Sequence, residues 1–250
     1  MRLSLRHFAA MSGAMVLLIL GLAAIGYWAV QREPAFYRQA LAHEPARLEE
    51  ASDELLQHTT ALVSDARQAG EWQALFTAEQ VNGWLAVDLP QNHPDVLPRE
   101  IIDPRVMFQP GRAKIGCRLE QAGISTIASL EVELYMAHPN VLAIRFCKAR
   151  AGAVPVPLAS ILERFSAAAA DSNLRLEWQQ ASGDPVALLT LGSSKEHGTE
   201  FFLEQVELRE GAIYLAGQTE IVGKEHSPAS KPVATPEVAT QSAKKQQDQR

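Results

Sequence analysis

An uninterrupted apolar run from Phe8 to Val30 constrains this chain more than any other feature. Its 23 residues include no Asp, Glu, Lys or Arg. As a helix the run would be about 34 Å long, enough to cross a hydrocarbon core about 30 Å thick. We therefore expect a single-pass transmembrane helix that holds the rest of the chain on one side of a membrane.

The charges that flank the run set its expected orientation. Arg2 and Arg6 precede it without any acidic residue, whereas Arg32 and Glu33 behind it offset each other. An excess of positive charge favours the cytoplasmic side. Residues 1–7 should therefore form a cytoplasmic stub, and the body should be exported to the periplasmic or another extracytoplasmic side.

Two alternatives compete with a retained anchor. A cleaved signal peptide has an apolar region of about 7–15 residues and a small-x-small cleavage site. This run is longer, and Gly26-Tyr27-Trp28 at its end offers no such site. The aromatic pair suits a membrane interface instead. A buried core helix is the other alternative, but an apolar surface on every face for about six turns is more typical of a membrane span.

The charge balance argues against nucleic-acid binding. The whole chain carries −6, the first 30 residues hold two arginines and no acid, and Lys224–Arg250 holds five basic and three acidic residues. Residues 31–223 therefore carry −10, whereas binding to nucleic acid needs clustered Lys and Arg. Lys224–Arg250 also lacks every large apolar residue except valine, so it predicts a disordered tail.

Residues 31–70 predict a helical stalk. They are rich in Ala, Leu, Glu, Gln and Arg, which favour helix, with a break or first-turn position at Pro45 and a stop at Gly70. Apolar residues recur at near-helical spacing at Leu48, Leu55, Leu56, Leu62 and Val63. The segment could be an amphipathic stalk, a helix packed on the domain, or a short dimerisation coil.

Residues 71–223 predict an α+β domain built on a mainly antiparallel, curved sheet of about seven strands. Three runs of period two, joined by short turns, form a central meander: Ala113–Leu119, Ser129–Met136 and Leu142–Cys147. Four later strands are predicted at Leu174–Trp178, Val186–Leu191, Phe202–Leu208 and Ala212–Ile221. On the polar face of the meander, Glu131 and Glu133 could lie across from Arg145.

Short helices should cover this sheet. A short strand at Glu71–Phe76 leads into a helix at Ala78–Val87, and Thr77 with Gln80 has the spacing of a capping box. The proline-rich stretch Leu89–Pro104 predicts a loop. A second helix begins at Pro157 or Leu158, and its apolar stripe consists of Leu158, Ile161, Leu162 and Phe165.

The two cysteines should remain thiols. Cys117 belongs to the apolar face of the first meander strand, and Cys147 to the other face of the third. The middle strand separates them by about 9–10 Å, whereas a disulfide needs Cα atoms within about 7 Å.

No catalytic, cofactor or metal motif occurs in the sequence. Glu131 and Glu133 lie on one strand face with Cβ atoms about 6–7 Å apart, which could support acid–base chemistry. A solvated strand face is the commoner role for such a pair. The serines Ser193 and Ser194, in a loop after Gly192, are equally unspecific. We therefore expect no enzyme, no cofactor and no metal.

The layout resembles the YpmS-like family of small single-pass bacterial envelope proteins. The matching features are F-T-A-E-Q-V-N-G-W-L at Phe76–Leu85, A-G-A-V-P-V-P-L-A-S-I-L at Ala151–Leu162, and a late strand pair around Glu210-Gly211. The resemblance spans about Glu71 to Gln218 and implies architecture only, since that family has no established activity to carry over. A curved sheet wrapping a helix is also similar to tubular lipid-binding domains of the envelope.

Together these features predict a membrane-anchored, non-catalytic envelope protein that could bind lipid or another apolar ligand between sheet and helix. The residues expected to line such a groove are Trp84, Leu85, Ile144, Phe146, Leu158, Ile161 and Phe165. The same seven could simply fill the core. The alternative function is a scaffold or assembly factor that holds an envelope complex together through protein–protein contacts.

Overall fold

A computed structural model describes residues 26, 28–121, 124–172, 174–191 and 199–221. The predicted cytoplasmic stub and disordered tail lie outside these ranges, as does nearly all of the predicted anchor, Phe8–Val30, so all three stay predictions. Among the described residues, no helix has both the length and the apolar character needed to cross a membrane.

Besides the end of a helix at residues 28–30, the described ranges contain five helices and ten strands. The helices are α1 (Ala35–Leu41), α2 (Pro45–Ala66), α3 (Ala78–Ala86), α4 (Asp88–Asn92) and α5 (Ala159–Asp171). The strands are β1 (Gly70–Thr77), β2 (Ile101–Gln109), β3 (Arg112–Gln121), β4 (Ile124–His138), β5 (Val141–Ala151), β6 (Val154–Pro155), β7 (Arg175–Ala181), β8 (Asp184–Thr190), β9 (Thr199–Arg209) and β10 (Ala212–Ile221).

The strands form two antiparallel sheets. The larger has seven strands in the order β2-β3-β4-β5-β8-β7, with the short β6 paired to β5, and the smaller has the order β1-β10-β9. The predicted α+β class and a mainly antiparallel sheet of about seven strands are therefore confirmed. The split into two sheets was not predicted, because strand periodicity does not reveal which strands pair.

The stretch Leu89–Pro104 is not simply a loop, as the sequence predicted. It contributes to α4 and to the start of β2. Pro104 is compatible with β2 because this strand lies at a sheet edge, where a missing N–H is tolerated. The ladder also shifts register between Ile102 and Arg105, and Asp103 there has a φ of 50°. Such a bulge suits the edge of a sheet.

The apolar core consists of two clusters. One lies on the larger sheet beneath α5 and centres on Phe146, which is 2% exposed. The predicted stripe of α5, from Leu158 to Phe165, packs against it. The other cluster surrounds Trp72 in the smaller sheet, whose ring stacks on Phe201 with centroids 4.7 Å apart.

Helix α2 lies on the domain instead of standing free. Its buried residues, Ala51 and Ser52, meet Gly83 of α3. Pro45 occupies the first turn of α2, as the sequence predicted, but the helix ends at Ala66 and Gly70 already belongs to β1. The capping box of Thr77 and Gln80 is confirmed, and it starts α3 directly at the end of β1.

Candidate functional site

The register of the meander places charged side chains in one row across the polar face of the larger sheet. Lys114 of β3 pairs with Glu131 of β4, which in turn pairs with Lys148 of β5. Because directly paired residues share a face of the sheet, the three side chains lie on the same side. A cation, a carboxylate and a second cation thus form the floor of a possible binding site.

The backbone that emerges from the predicted anchor is fastened to the end of this sheet. The Thr126 hydroxyl donates to the Val30 carbonyl at 2.7 Å, and the Ala153 N–H donates to the Ala29 carbonyl at 2.8 Å. Gly152 has a φ of 59°, and a Cβ there would overlap both carbonyls. A glycine at this turn therefore allows the close approach of the two segments.

Helix α1 is held over the same face by Tyr37. This side chain is fully buried, lies against Gly116 of β3, and donates a 2.9 Å hydrogen bond to the Asp103 carbonyl. Burial, with a smaller contribution from the Asp103 charge, raises the pKa of Tyr37 to about 12. The phenol therefore stays neutral at physiological pH, and α1 has a fixed position beside Lys114.

Between these parts lies an open cleft of about 490 Å³, which we call the basic cleft. Five basic side chains and two carboxylates line it, giving a net charge of +3. Its lining residues are Arg32, Glu33, Pro34, Ala35, Phe36, Arg38, Lys114, Ser129, Leu130, Glu131, Lys148, Arg150, Gly152 and Ala153.

Most of these cations have no carboxylate partner. Glu131 is held by Arg112 at 2.7 Å, outside the cleft lining. Within the part of the chain that the structure describes, none of Arg38, Lys114, Lys148 and Arg150 forms an ion pair. Their donors are therefore available to an incoming anion.

The arrangement is chemically suited to an anionic group that offers several acceptor oxygens. Lysine provides a compact charge with three donors, and arginine provides a planar fork that matches phosphate or carboxylate oxygens. The volume falls within the usual range of about 300–1,000 Å³ for small-ligand sites. Phe36 of α1 adds apolar surface to the lining. The cleft thus combines charge for a headgroup with some contact for carbon.

The predicted apolar groove is only partly assembled. Phe146 is in the core, and Ile144, Leu158, Ile161 and Phe165 pack against the same cluster, so these five lie together. Trp84 instead packs near the His93 ring, with centroids 6.1 Å apart. Leu85 lines a separate pocket of about 240 Å³ under the proline-rich segment.

The acidic pair on the polar face is engaged in ion pairs. Arg112 lies 3.2 Å from Glu133 as well as contacting Glu131, and Arg145 bridges Glu133 at 3.2 Å and Asp184 at 2.7 Å. The predicted cross-strand position opposite Arg145 is therefore confirmed for Glu133 and wrong for Glu131, which lies across from Lys148. Ion pairing of this kind is the ordinary arrangement of a charged strand face.

Other predicted candidates give no site in the described residues. Ser193 and Ser194 lie outside the described ranges. Both cysteines are free thiols, as predicted, and burial raises the pKa of the Cys117 thiol. No group of three or more His, Cys, Asp or Glu residues within the described ranges is placed to hold a metal ion.

Comparison with protein-family models, with curated proteins and with solved structures found no match for this chain. The resemblance to the YpmS-like family therefore stays a prediction.

The basic cleft was missed from the sequence. Alternation in the meander already placed Lys114 on a polar strand face, and this was the available signal. The contribution of Arg32 and Arg38 depends on how α1 crosses the sheet, which no local pattern encodes.

Proposed function

We propose that this chain is a membrane-anchored, non-catalytic envelope protein whose exported body binds the anionic headgroup of a lipid in the basic cleft. The proposal rests on one observation: unpaired cations surround a cleft beside the residues that follow the predicted anchor. Arg32 lies only two residues beyond Val30, where the apolar run ends. The cleft would therefore lie next to the membrane surface, within reach of lipid headgroups.

The charge of the body supports this placement. Residues 31–223 carry −10, so an anionic membrane surface repels most of the domain. The basic cleft, at +3, is the exception and would turn towards that surface. Each Lys or Arg near an anionic surface contributes about 1 kcal/mol to attraction, and that contribution falls off within a Debye length. The four or five cations of the basic cleft would therefore strengthen the binding of the domain to an anionic membrane surface.

The proposed site differs from the one predicted from the sequence, which was an apolar groove between the sheet and a helix. Five of the seven predicted groove residues belong to or pack against one apolar cluster. Filling the core accounts for them without a ligand. The headgroup, more than the acyl chain, is therefore the part of the lipid that we expect the domain to recognise.

The test is native mass spectrometry of the full chain released from detergent micelles, with short-chain phosphatidylglycerol or phosphatidylcholine added at equal concentrations. We expect the anionic lipid to be retained at least tenfold better, and Lys114→Gln/Lys148→Gln to abolish that preference. Arg67→Gln/Arg99→Gln removes the same charge from two exposed positions outside the cleft and should keep it.

Glycerol phosphate, added alone, distinguishes a headgroup from a free phosphate ester. Retention of glycerol phosphate as strong as that of the lipid would point to a soluble ligand. Equal retention of both lipids by the unmodified chain, or an unchanged preference in the cleft variant, would contradict the proposal.

A further inference from the structure

Val96 is, together with Trp28, the most exposed large apolar side chain among the described residues. Both are 64% exposed, whereas the next, Ile221, is 49% exposed. Single exposed apolar residues are common on protein surfaces, so exposure alone gives Val96 no function. Its place in the fold, close to where the chain enters the domain, is what sets it apart.

Strand pairing brings the start of β2 level with the entry of the chain into the domain. Ile101 of β2 pairs with Leu119 of β3, and Leu119 pairs with Thr126 of β4. The Thr126 hydroxyl donates to the Val30 carbonyl. Since neighbouring strands lie about 4.8 Å apart, Ile101 is about 10 Å from the strand that holds Val30. We call this end of the larger sheet, defined by Ile101, Leu119 and Thr126, the anchor end.

After Val30 the chain runs inwards from the anchor end. Phe36 of α1 lies against Gly116. Gly116 precedes Leu119 in β3 and lies about 10 Å nearer the middle of the sheet. The chain therefore enters from beyond the sheet at this end. A membrane spanned by Phe8–Val30, as the sequence predicts, would lie beyond the anchor end.

The segment that carries the exposed valine lies at the same end. Helix α3 begins beside the turn between β9 and β10, which contacts Phe108, and further along the helix Asn82 contacts Val106. The helix therefore runs along β2 towards the anchor end. Helix α4 follows it, and residues 93–100 then lead back to Ile101. This segment and Ile101 line the same pocket of about 240 Å³, so the segment lies against the start of β2.

Local interactions restrict the conformation of this segment. The Val96 N–H donates to the His93 carbonyl at 3.2 Å, and the Ile101 N–H donates to the Pro98 carbonyl at 2.9 Å. Pro94 and Pro98 each fix a backbone φ angle. A side chain presented by such a segment loses little further freedom when it contacts a partner.

We propose that Val96 inserts into the membrane that holds the predicted anchor, so that the domain has a second apolar contact with the bilayer. The inference rests on that anchor, which the proposed function also requires, but not on headgroup binding in the basic cleft. Insertion is shallow, because the carboxylates of Asp95 and Glu100 remain in the headgroup layer. Val96 reaches only the boundary between headgroups and acyl chains, where interfacial apolar residues are buried.

The charges around Val96 make this an apolar contact and not an electrostatic one. Its exposed sequence neighbours Asp95, Arg99 and Glu100 sum to −1, so an anionic surface does not attract the segment. Insertion therefore needs no anionic lipid and occurs in phosphatidylcholine. This lipid requirement distinguishes the Val96 contact from the basic cleft, whose cations favour an anionic headgroup.

Fluorescence quenching in vesicles tests the contact. The full chain, with Cys117→Ser and Cys147→Ser, carries a fluorophore on Val96→Cys and is reconstituted into phosphatidylcholine that contains a lipid with a nitroxide near the headgroup. Circular dichroism and the thermal midpoint check that each labelled chain is folded. A second labelled chain, Trp28→Cys, reports whether the anchor is in the bilayer.

The control label lies at the other end of β2. Glu210→Cys is an exposed position beside Gly211, whose N–H donates to the Phe108 carbonyl at 3.0 Å. Phe108 is about 23 Å along the strand from Ile101. A membrane at the anchor end therefore leaves this label in water.

We expect quenching of Val96→Cys and Trp28→Cys to be at least threefold stronger than that of Glu210→Cys. Lys114→Gln/Lys148→Gln should leave the quenching of Val96→Cys unchanged, because the cleft does not make this contact. Quenching of Trp28→Cys without that of Val96→Cys would overturn the proposal and leave the proposed function intact. Equally weak quenching of all three labels would overturn the anchor and the proposal together.

Photocrosslinking gives an independent readout that retains both native cysteines. A diazirine-bearing amino acid replaces Val96 in the full chain, or Glu210 in the control, and the chain is irradiated in phosphatidylcholine vesicles. Mass spectrometry should show a lipid adduct at least fivefold more abundant for Val96 than for Glu210. An adduct with a second copy of the chain instead of lipid, or equal lipid adducts at the two positions, would overturn the proposal.

Discussion

The side chain of Asn82 forms two hydrogen bonds with the backbone of Val106. Its amide nitrogen donates to the Val106 carbonyl at 2.9 Å, and its carbonyl oxygen accepts the Val106 N–H at 2.7 Å. Asn82 lies in α3 and is 2% exposed. Its side chain makes the two hydrogen bonds to Val106 that a neighbouring strand would otherwise make to β2. A buried edge strand has its polar backbone groups satisfied in this way.

Replacing Asn82 with alanine should lower the free energy of unfolding by about 2–4 kcal/mol. The substitution leaves a buried donor and a buried acceptor of Val106 without partners, and each costs about 1–3 kcal/mol. Urea denaturation followed by circular dichroism would measure the change. Gln57→Ala, at an exposed position of α2, is the control and should stay within about 0.5 kcal/mol of the parent. A similarly small effect at Asn82 would contradict the prediction.

Gly83→Ala should destabilise the protein, although alanine is by about 1 kcal/mol the better helix former. A Cβ at this position would approach the Leu48 carbonyl oxygen and the Ser52 nitrogen, each to 2.6 Å, and both belong to the backbone of α2. The helices would have to separate, and overpacking of this kind costs about 1–3 kcal/mol. Thermal unfolding should therefore show a lower midpoint for Gly83→Ala than for the parent. A higher midpoint would mean that α2 does not lie against α3.

Tyr37 predicts a loss of stability at alkaline pH. Its folded-state pKa of about 12 exceeds the ordinary value of 10.0, chiefly because of burial. The stabilisation is fully present below pH 10 and is lost as the pH rises from 10 towards 12. The two units correspond to at most about 2.7 kcal/mol. Unfolding curves at pH 9, 10 and 11 should therefore show a steeper decline for the parent than for Tyr37→Phe. Parallel declines would contradict a raised pKa.

Local patterns predicted those parts of the fold that depend on neighbours in sequence. The alternation that marks β3, β4 and β5, and the capping box at Thr77, need only a few consecutive residues, and each is present. The start of β2 was hidden because Pro104 normally signals a loop. Its pairing depends on a bulge at Asp103 and on Asn82, some 20 residues earlier in the chain. Such distant partners cannot be inferred from spacing.

The candidate site likewise has features that depend on neighbours in sequence and features that depend on distant residues. The face of the sheet that carries Lys114 was readable from alternation alone. That Arg38 faces the same cleft depends on the buried contact of Tyr37 with Gly116, almost 80 residues later in the chain. The apolar residues gave a misleading signal, because a stripe such as that of α5 looks the same whether it lines a groove or fills a core.

Asn140 should be sensitive to substitution for two separable reasons. Its φ of 60° favours Asn or Gly, and its side chain joins the two sheets by accepting from Leu203 N–H at 2.7 Å and donating to the Phe201 carbonyl at 3.0 Å. Asn140→Gly keeps the backbone conformation but loses both bonds, at about 1–3 kcal/mol. Asn140→Ala adds roughly 1 kcal/mol of left-handed strain. Thermal unfolding should rank parent, glycine and alanine in that order; equal stability of glycine and parent would show that the side-chain bonds contribute nothing.

The orientation of the chain bears directly on the proposed function, and it follows from the charge imbalance around Phe8–Val30. A reporter that works only after export, fused behind Arg250, should be active, whereas one that fluoresces only in the cytoplasm should be dark. Replacing Arg2 and Arg6 by Glu should weaken or scramble this orientation, because two charges are a modest bias. Arg67→Glu/Arg99→Glu makes the same change of charge far behind the run and should leave the reporters unaffected. Fluorescence of the cytoplasmic reporter on the unmodified chain would place the body inside the cell. The basic cleft would then face the inner leaflet, and the proposal of an exported envelope protein would fail.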